Sequence, residues 1–261
     1  MRWLLDAFVA MASNAVRARA LRHTGTFLAF RLCDGLLRAH AAAGKDEADA
    51  LAQLDARRGG GGGGGKKKGG AQSGGALSSL EAAVAAKSAA RASIGELAAS
   101  LFDATFPDRY RDTAAPIRQE CAASLGGWIA SCPSLFLDNV HLKYLGWMLS
   151  DRDGAVRAAA LDAIGGACAT PDRLAHSRVF LTRFSARLVE MTNDVAAPAR
   201  VAATKLLCAL VRVGAPPAGL RALPLAPLVN DEDAHVRAAA VELLLLLDLS
   251  LIHISEPTRR T

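Results

Sequence analysis

Residues 154–168 of the 261-residue chain read "GAVRAAALDAIGGAC", and two later stretches repeat the same pattern: "APARVAATKLLCALV" from Ala197 and "AHVRAAAVELLLLLD" from Ala234. When the three are aligned on their arginines, small or apolar residues fall at the same five positions. In the first copy these are Val156, Ala160, Ala163, Ile164 and Ala167. Because an α-helix has about 3.6 residues per turn, the five positions form one stripe along a helix. The pattern therefore predicts three helices that bury equivalent faces.

The spacing of the copies indicates the type of repeat. A fourth copy, "APIRQECAASLGGWI", contains Arg118, and a looser fifth, "NAVRARALRHTGTFL", contains Arg17. The arginines of the four clear copies are about 40 residues apart, which is the length of a two-helix HEAT-type repeat. Ala-rich composition and the scarcity of strand patterns agree with this. We therefore expect an all-α fold, a HEAT-type α-helical repeat solenoid with a disordered Gly/Lys-rich insertion.

Acidic or polar turns precede the repeat helices, as in "SDRDG", "TNDVAAP" and "NDEDA". Asp or Asn in such a turn accepts hydrogen bonds from the free N–H groups at the helix start. In a stacked array, a turn Asp also comes within reach of the arginine of a neighbouring repeat. The recurrence of these charges with the repeat indicates a structural role rather than a catalytic one.

Residues that support enzymatic chemistry form no recognisable motif. The chain has no H-E-x-x-H and no G-x-S-x-G, and its five cysteines and six histidines are scattered without ligand spacing. The apolar run "VELLLLLDLSLI" is shorter than the roughly 20 residues of a membrane span. We expect no catalytic residue, no metal, no cofactor, no membrane partner and no enzymatic activity.

One helix carries an unusual group of side chains. In "HLKYLGWMLS", Lys143 and Trp147 share a helix face, and Tyr144 lies three residues before Trp147. In the next repeat, "FLTRFSARLVEMT" places Arg183 beside Phe184. If the helices stack in order, these residues line one groove with an aromatic floor and a cationic rim. The spacing alone favours Trp147 as a core residue, and a docking surface is the alternative.

Positive charge is concentrated near the start of the chain. The formal net charge is +6, and residues 1–38 contain six arginines against two aspartates. A basic surface attracts nucleic acid, so Arg17, Arg19 and Arg22 are candidate DNA contacts.

Three longer stretches resemble one known family. "LFDATFPDRYRDTAAPIRQECAASLGGWI", "FLDNVHLKYLGWMLSDRDGAVR" and "FLTRFSARLVEMTND" are similar to the conserved block of the stromalins, the HEAT-repeat SA subunits of cohesin. The block includes the pattern F-x-x-R-Y-R-D, here with Phe106, Arg109, Tyr110, Arg111 and Asp112. Upstream, "AVRARALRHTGTFLAFRL" is similar to the helix that precedes the charged insertion of the family.

The resemblance implies a function. It implies a non-catalytic scaffold subunit of cohesin, located on chromatin in the nucleus, that acts in sister-chromatid cohesion and chromatin organisation. The implied partners are the kleisin subunit and ring ATPase subunits of cohesin, regulators with a Phe/Tyr-x-Phe motif, and double-stranded DNA. The alternative is a HEAT-repeat scaffold of another class, a transport receptor or an enzyme regulatory subunit, that binds neither kleisin nor DNA.

The resemblance also assigns site residues by position. The pocket for the Phe/Tyr-x-Phe motif corresponds to Tyr144, Trp147, Arg183 and Phe184, with Lys143 at its rim. Arg109 and Arg111 match the basic pair of the R-Y-R-D pattern and are further candidates for a DNA or partner contact.

The expected domain organisation has four parts. Residues 1–44 are the first HEAT-type helices and residues 81–248 are the stromalin-like repeats. Residues 45–80, which include "RRGGGGGGGKKKGGAQSGG", are expected to be a flexible insertion because glycine and like charges oppose packing. Residues 249–261, "LSLIHISEPTRRT", break the repeat and resemble a translated sequencing adapter, so we interpret them as a non-native tail.

Overall fold

The regular structure is entirely helical in the part of the chain that is described. The structure is a computed structural model that describes residues 2–13, 18–59 and 70–255, and those residues contain helices and no strand. This confirms the all-α prediction. The α-helices are α1 (Arg2–Met11), α2 (Arg19–Gly59), α3 (Gly70–Arg109), α4 (Ala115–Ser131), α5 (Pro133–Phe136), α6 (Asn139–Met148), α7 (Gly154–Ala167), α8 (Pro171–Glu190), α9 (Ala197–Arg212), α10 (Ala226–Val229) and α11 (Ala234–Ser255). Two short 3-10 helices span Met191–Asn193 and Leu220–Ala222.

The chain divides into two compact units. The first consists of Met1–Ala12 and Thr24–Thr105, and the second of Ser13–His23 and Phe106–Thr261. In the first unit, α2 and α3 lie antiparallel. Arg58 bonds to Glu81 at 2.5 Å, Lys87 bonds to the Asp46 carbonyl at 3.0 Å, and Arg91 bonds to Glu47 at 3.1 Å. Arg58 near the end of α2 pairs near the start of α3, whereas Asp46 and Glu47 pair farther along α3, as in an antiparallel arrangement.

The prediction that residues 45–80 are flexible is wrong for the described part of that segment. Helix α2 continues to Gly59 with Ala50 and Leu54 buried, and α3 begins at Gly70. The residues on both sides of the glycine tract are mostly Ala, Leu, Glu, Lys and Arg, which favour helix, and only the glycines themselves oppose it. Residues 60–69, which include Lys66–Lys68, lie outside the described residues.

The repeat pattern is visible in the second unit. Helices α4, α7, α9 and α11 pack on one another in that order and form one layer, while α6 and α8 pack on each other and on α7. The predicted stripe of α7 is buried throughout, and Leu206, Leu207 and Leu210 of α9 are buried as well. On α11 the stripe is incomplete, because Leu244 is exposed.

Close packing also uses glycine: a Cβ atom on Gly126 of α4 would lie 2.7 Å from the Ala163 side chain of α7.

A ladder of ion pairs joins the turns of this layer. Arg118 binds Asp151, Arg157 binds Asp194, and Arg200 binds Asp231, each Asp being in the turn of the following repeat. Each arginine also donates to the carbonyl oxygen of the Asp in its own turn: Asp112 at 2.8 Å, Asp151 at 2.7 Å and Asp194 at 2.9 Å. The arginines therefore hold consecutive turns together, which confirms the structural interpretation of these charges.

An exposed aromatic surface as the candidate functional site

Helix α6 presents Trp147 to solvent and holds Tyr144 half-buried. The carboxylate of Asp138 accepts a hydrogen bond from the backbone N–H of His141 at 2.9 Å and thereby caps the helix. Leu142, Leu145 and Met148 are buried on the inner face. Trp147 lies on the outer face and is 46% exposed, so the interpretation of this residue as core, which the spacing alone favoured, is wrong.

Three rings form one continuous surface, which we call the aromatic surface: Tyr110, Tyr144 and Trp147. The Tyr144 and Trp147 rings meet edge to face with centroids 5.5 Å apart. The Tyr110 ring lies 4.9 Å from Tyr144 and 5.9 Å from Trp147, stacked on the latter. Tyr110 was not among the predicted site residues, although it lies between Arg109 and Arg111 in the R-Y-R-D pattern that identified those two.

Buried rings support the aromatic surface from below. The Phe106 ring is fully buried and lies 5.1 Å from Tyr144 and 6.2 Å from Trp128. Trp128 is buried in turn against Phe136. Since the three rings rest on buried aromatic neighbours, little side-chain entropy is lost when a ligand covers them.

Cationic groups border the aromatic surface. The Lys143 ammonium lies 5.1 Å from the Tyr144 ring centroid and 5.7 Å from that of Trp147. The Arg111 guanidinium lies 5.1 Å from the Tyr110 ring centroid. These distances are within the range of cation–π attraction, and they place positive charge beside the rings.

Helix α8 contributes the other two predicted residues. The Phe184 ring packs on Phe180 with centroids 4.7 Å apart, and the Arg183 guanidinium lies 5.6 Å from the Phe184 ring centroid. Phe184 also reaches α6, because a Cβ atom built on Gly146 would overlap its ring. Arg183 is exposed and Phe184 is half-buried. Phe184 therefore meets α6 at the residue that precedes Trp147.

Two of the predicted contact residues are structural. Arg109 is fully buried and its guanidinium binds Asp112. Arg22 binds the same carboxylate at 3.0 Å through Nε. Their positions contradict the prediction that they contact DNA or a partner, because both guanidinium groups are engaged in neutralising a buried carboxylate. Arg19 and Arg111 are exposed, and Arg17 lies outside the described residues.

The carboxyl group of Asp112 is held in its ionised form. Burial raises its pKa, but hydrogen bonds from Arg22 and the backbone N–H of Ala114, together with the charge of Arg109, lower the pKa below the ordinary value overall. Asp151 and Asp194 behave in the same way through Arg118 and Arg157. These charges stabilise the ladder and provide no acid or base for catalysis.

Side chains that would bind a metal do not cluster in residues 2–13, 18–59 and 70–255, where no group of three or more His, Cys, Asp or Glu has metal-binding geometry. Burial raises the pKa of the Cys168 and Cys208 thiols to about 11, so both are protonated at neutral pH. Among the described helices, none combines the length and the apolar character that a membrane span requires.

Comparisons with known proteins identify the relatives of the chain. A family model described as the stromalin conservative domain matches residues 111–185, a range that contains Trp147 and Phe184. The chain is 38% identical over 152 residues to sister-chromatid cohesion protein 3 of Arabidopsis thaliana, covering 58% of the chain and 14% of that protein. It is 29% identical over 196 residues to cohesin subunit SA-3 of Homo sapiens, covering 75% of the chain and 15% of that protein.

A solved structure is similar in fold. Cohesin subunit Scc3 from Z. rouxii matches with a TM-score of 0.80 at 21% identity, covering 98% of the chain and 29% of that structure. The chain thus spans a small part of the length of each of these relatives. Its residues 111–185 match the stromalin conservative domain, and the relatives that it resembles are named as cohesin and sister-chromatid cohesion subunits.

Proposed function

We propose that this chain is part of a non-catalytic scaffold subunit of cohesin, that it acts on chromatin in the nucleus, and that it contributes to sister-chromatid cohesion. The proposal is supported by the names of its relatives, sister-chromatid cohesion protein 3 and cohesin subunit SA-3. It is also supported by the architecture, because helical repeat arrays usually act by presenting an extended surface to partners. The proposed assembly partners are the kleisin and ring ATPase subunits of cohesin.

The aromatic surface is the proposed docking site for peptides with a Phe/Tyr-x-Phe motif. The observation that carries this proposal is the 46% exposure of Trp147 beside Tyr110 and Tyr144. Tryptophan and tyrosine are among the side chains that most often dominate binding energy at protein interfaces, and here an exposed Trp147 lies beside two half-buried tyrosines. Lys143, Arg183 and Phe184 extend the same site to its cationic rim and to helix α8. An aromatic ligand side chain would cover the rings, and the bordering cations would favour acidic residues next to it.

Calorimetric titration of a Phe/Tyr-x-Phe peptide into the chain, alone and with the kleisin segment added, tests this site. We expect Trp147→Ala to weaken binding by about 2 to 4 kcal/mol, as for a central aromatic anchor. Trp3→Ala is the matched control, since Trp3 is 70% exposed and belongs to the other compact unit. Equal affinity of the parent and the Trp147→Ala variant would refute the docking site.

We propose that Arg17 and the exposed Arg19 contact DNA. Arg111 is a proposed contact with DNA or with a protein partner. Each phosphate neutralised lowers log affinity by about 0.9 per unit of log salt concentration. We expect Arg19→Ala to weaken duplex binding and to reduce this slope. An unchanged slope in the Arg19→Ala, Arg17→Ala double variant would remove both residues from a DNA-binding surface.

A further inference from the structure

Comparison of the ladder turns identifies two cations that the repeat does not require. The ladder aspartates are Asp112, Asp151, Asp194 and Asp231. The residues immediately before them are Arg111, Ser150, Asn193 and Asn230, and those immediately after are Thr113, Arg152, Val195 and Glu232. In each turn, the backbone N–H two residues after the Asp donates a hydrogen bond to the Asp carboxylate, whichever side chains stand at the flanking positions. Arg111 and Arg152 are therefore not needed for the turn contact that the four repeats share, and Arg152 adds a bond to the preceding turn that its counterparts do not make.

Both cations line one groove between the first two ladder turns. This groove, which we call the turn groove, has a volume of about 360 Å³. Its lining residues are Arg111, Asp112, Thr113, Arg118, Asp151 and Arg152. Arg152 is exposed and donates one hydrogen bond to the Thr113 carbonyl at 2.7 Å. This bond holds the guanidinium beside the groove and does not involve its other N–H groups.

The acidic residues of the turn groove are already bound to other groups. The Asp112 carboxylate accepts hydrogen bonds from Arg22, Arg109 and the Ala114 N–H. The Asp151 carboxylate accepts two from Arg118, at 2.6 and 2.7 Å, and one from the Asp153 N–H. Because internal cations offset these two carboxylates, Arg111 and Arg152 give the groove a positive charge.

The turn groove is continuous with the aromatic surface. Arg111 lines the groove and also lies over the Tyr110 ring. Helix α6, which carries Trp147, ends at Met148, and the Asp151 N–H donates to the Met148 carbonyl at 3.1 Å. A peptide side chain that covers the Tyr110 ring would therefore lie next to Arg111, which also lines the groove.

We propose that the turn groove binds the carboxylate of an Asp or Glu that adjoins the aromatic anchor of the docked peptide, and that Arg111 and Arg152 determine this specificity. A guanidinium offers planar donors that match a carboxylate. This inference rests on the proposed function of the aromatic surface. A peptide is favoured over DNA as the ligand because the groove accommodates one anionic group beside aromatic rings, whereas DNA requires a row of cations along its backbone.

The test is a calorimetric double-mutant cycle on the folded chain. Two synthetic peptides, with Phe-Asp-Phe and Phe-Asn-Phe at their centres, are titrated into the parent, Arg152→Gln and Arg111→Gln, with Arg178→Gln as a control at an exposed arginine of α8. For the parent and the Arg178→Gln control, we expect the Asn peptide to bind about tenfold more weakly than the Asp peptide. For Arg152→Gln, we expect the affinities of the two peptides to agree within about twofold. Loss of the difference would show that Arg152 and the Asp of the peptide are directly coupled.

The outcomes separate the two proposals. If both peptides bind and the tenfold ratio persists in Arg152→Gln and Arg111→Gln, the turn groove is not the carboxylate site, while the aromatic surface stands. If neither peptide binds the parent, the proposed function fails and the inference fails with it. If Arg152→Gln weakens binding of a DNA duplex and leaves the peptide ratio unchanged, the groove is a phosphate contact and the proposal is overturned. Thermal melting of each variant confirms that it is folded.

Discussion

At the scale of single residues, the site depends on a contact that the sequence pattern does not reveal. Helical spacing placed Lys143, Tyr144 and Trp147 near one another, and the structure agrees. The same spacing favoured a buried Trp147, because periodicity describes which residues share a face and not whether another helix covers it. Tyr110 comes from a segment more than 30 residues away in sequence, so the local helical spacing could not predict its contact with Trp147.

Gly146→Ala is expected to destabilise the second unit by about 1 to 3 kcal/mol, because a side chain is forced into a filled space. The added methyl group would overlap the Phe184 ring. Gly127→Ala is the matched control: Gly127 is exposed in α4 with open space around its Cβ position, so alanine should stabilise the helix by about 0.5 to 1 kcal/mol. Chemical denaturation measures both, and equal effects of the two substitutions would contradict the close packing of α6 on Phe184.

At the scale of helices and turns, the recurring Asp and Arg were the most informative signal in the sequence. The repeat indicated that a turn Asp reaches the arginine of its neighbour, and three such pairs are present in the described residues. The same type of interaction explains a wrong prediction. Arg22 meets Asp112, 90 residues later in sequence, and that pairing follows from the tertiary fold rather than from any local pattern. The glycine tract led to the other wrong prediction, because α2 and α3 extend into the segment that was expected to be flexible.

Arg157→Ala is expected to lower the free energy of unfolding by about 3 kcal/mol, since it leaves Asp194 buried without its partner. Both side chains of this pair are almost fully buried. The Arg157→Ala, Asp194→Ala double variant should recover part of the loss, because the isolated charge is removed as well. Arg178→Ala, at an exposed arginine, should change stability by less than about 0.5 kcal/mol. Urea denaturation of the parent and the three variants measures these differences, and a double variant no more stable than Arg157→Ala would contradict the pairing.

At the scale of the whole molecule, the ladder makes stability depend on pH. The pKa values of Asp112, Asp151, Asp194 and Asp231 are all lowered in the folded chain. A lowered pKa in the folded state means that the unfolded chain takes up protons more readily as the pH falls. The stabilisation is thus complete above the unfolded value of about 4 and is lost below it.

Unfolding free energy measured against pH should remain level near neutrality and fall steeply below about pH 4. In the Arg157→Ala, Asp194→Ala double variant the fall should be shallower, because one of the four carboxylates is absent. A parent chain that keeps its neutral-pH stability down to about pH 3 would show that folding does not lower the pKa values of the ladder carboxylates.

Tryptophan fluorescence tests the central claim, that peptides dock on the aromatic surface, most directly. The chain has three tryptophans: Trp3 and Trp147 are exposed and Trp128 is buried. In a Trp3→Phe variant, a change in emission on titration therefore reports on Trp147. We predict that a Phe-Asp-Phe peptide shifts the emission to shorter wavelength, saturating at the affinity found by calorimetry. Peptide binding that releases heat and leaves this emission unchanged would contradict the claim.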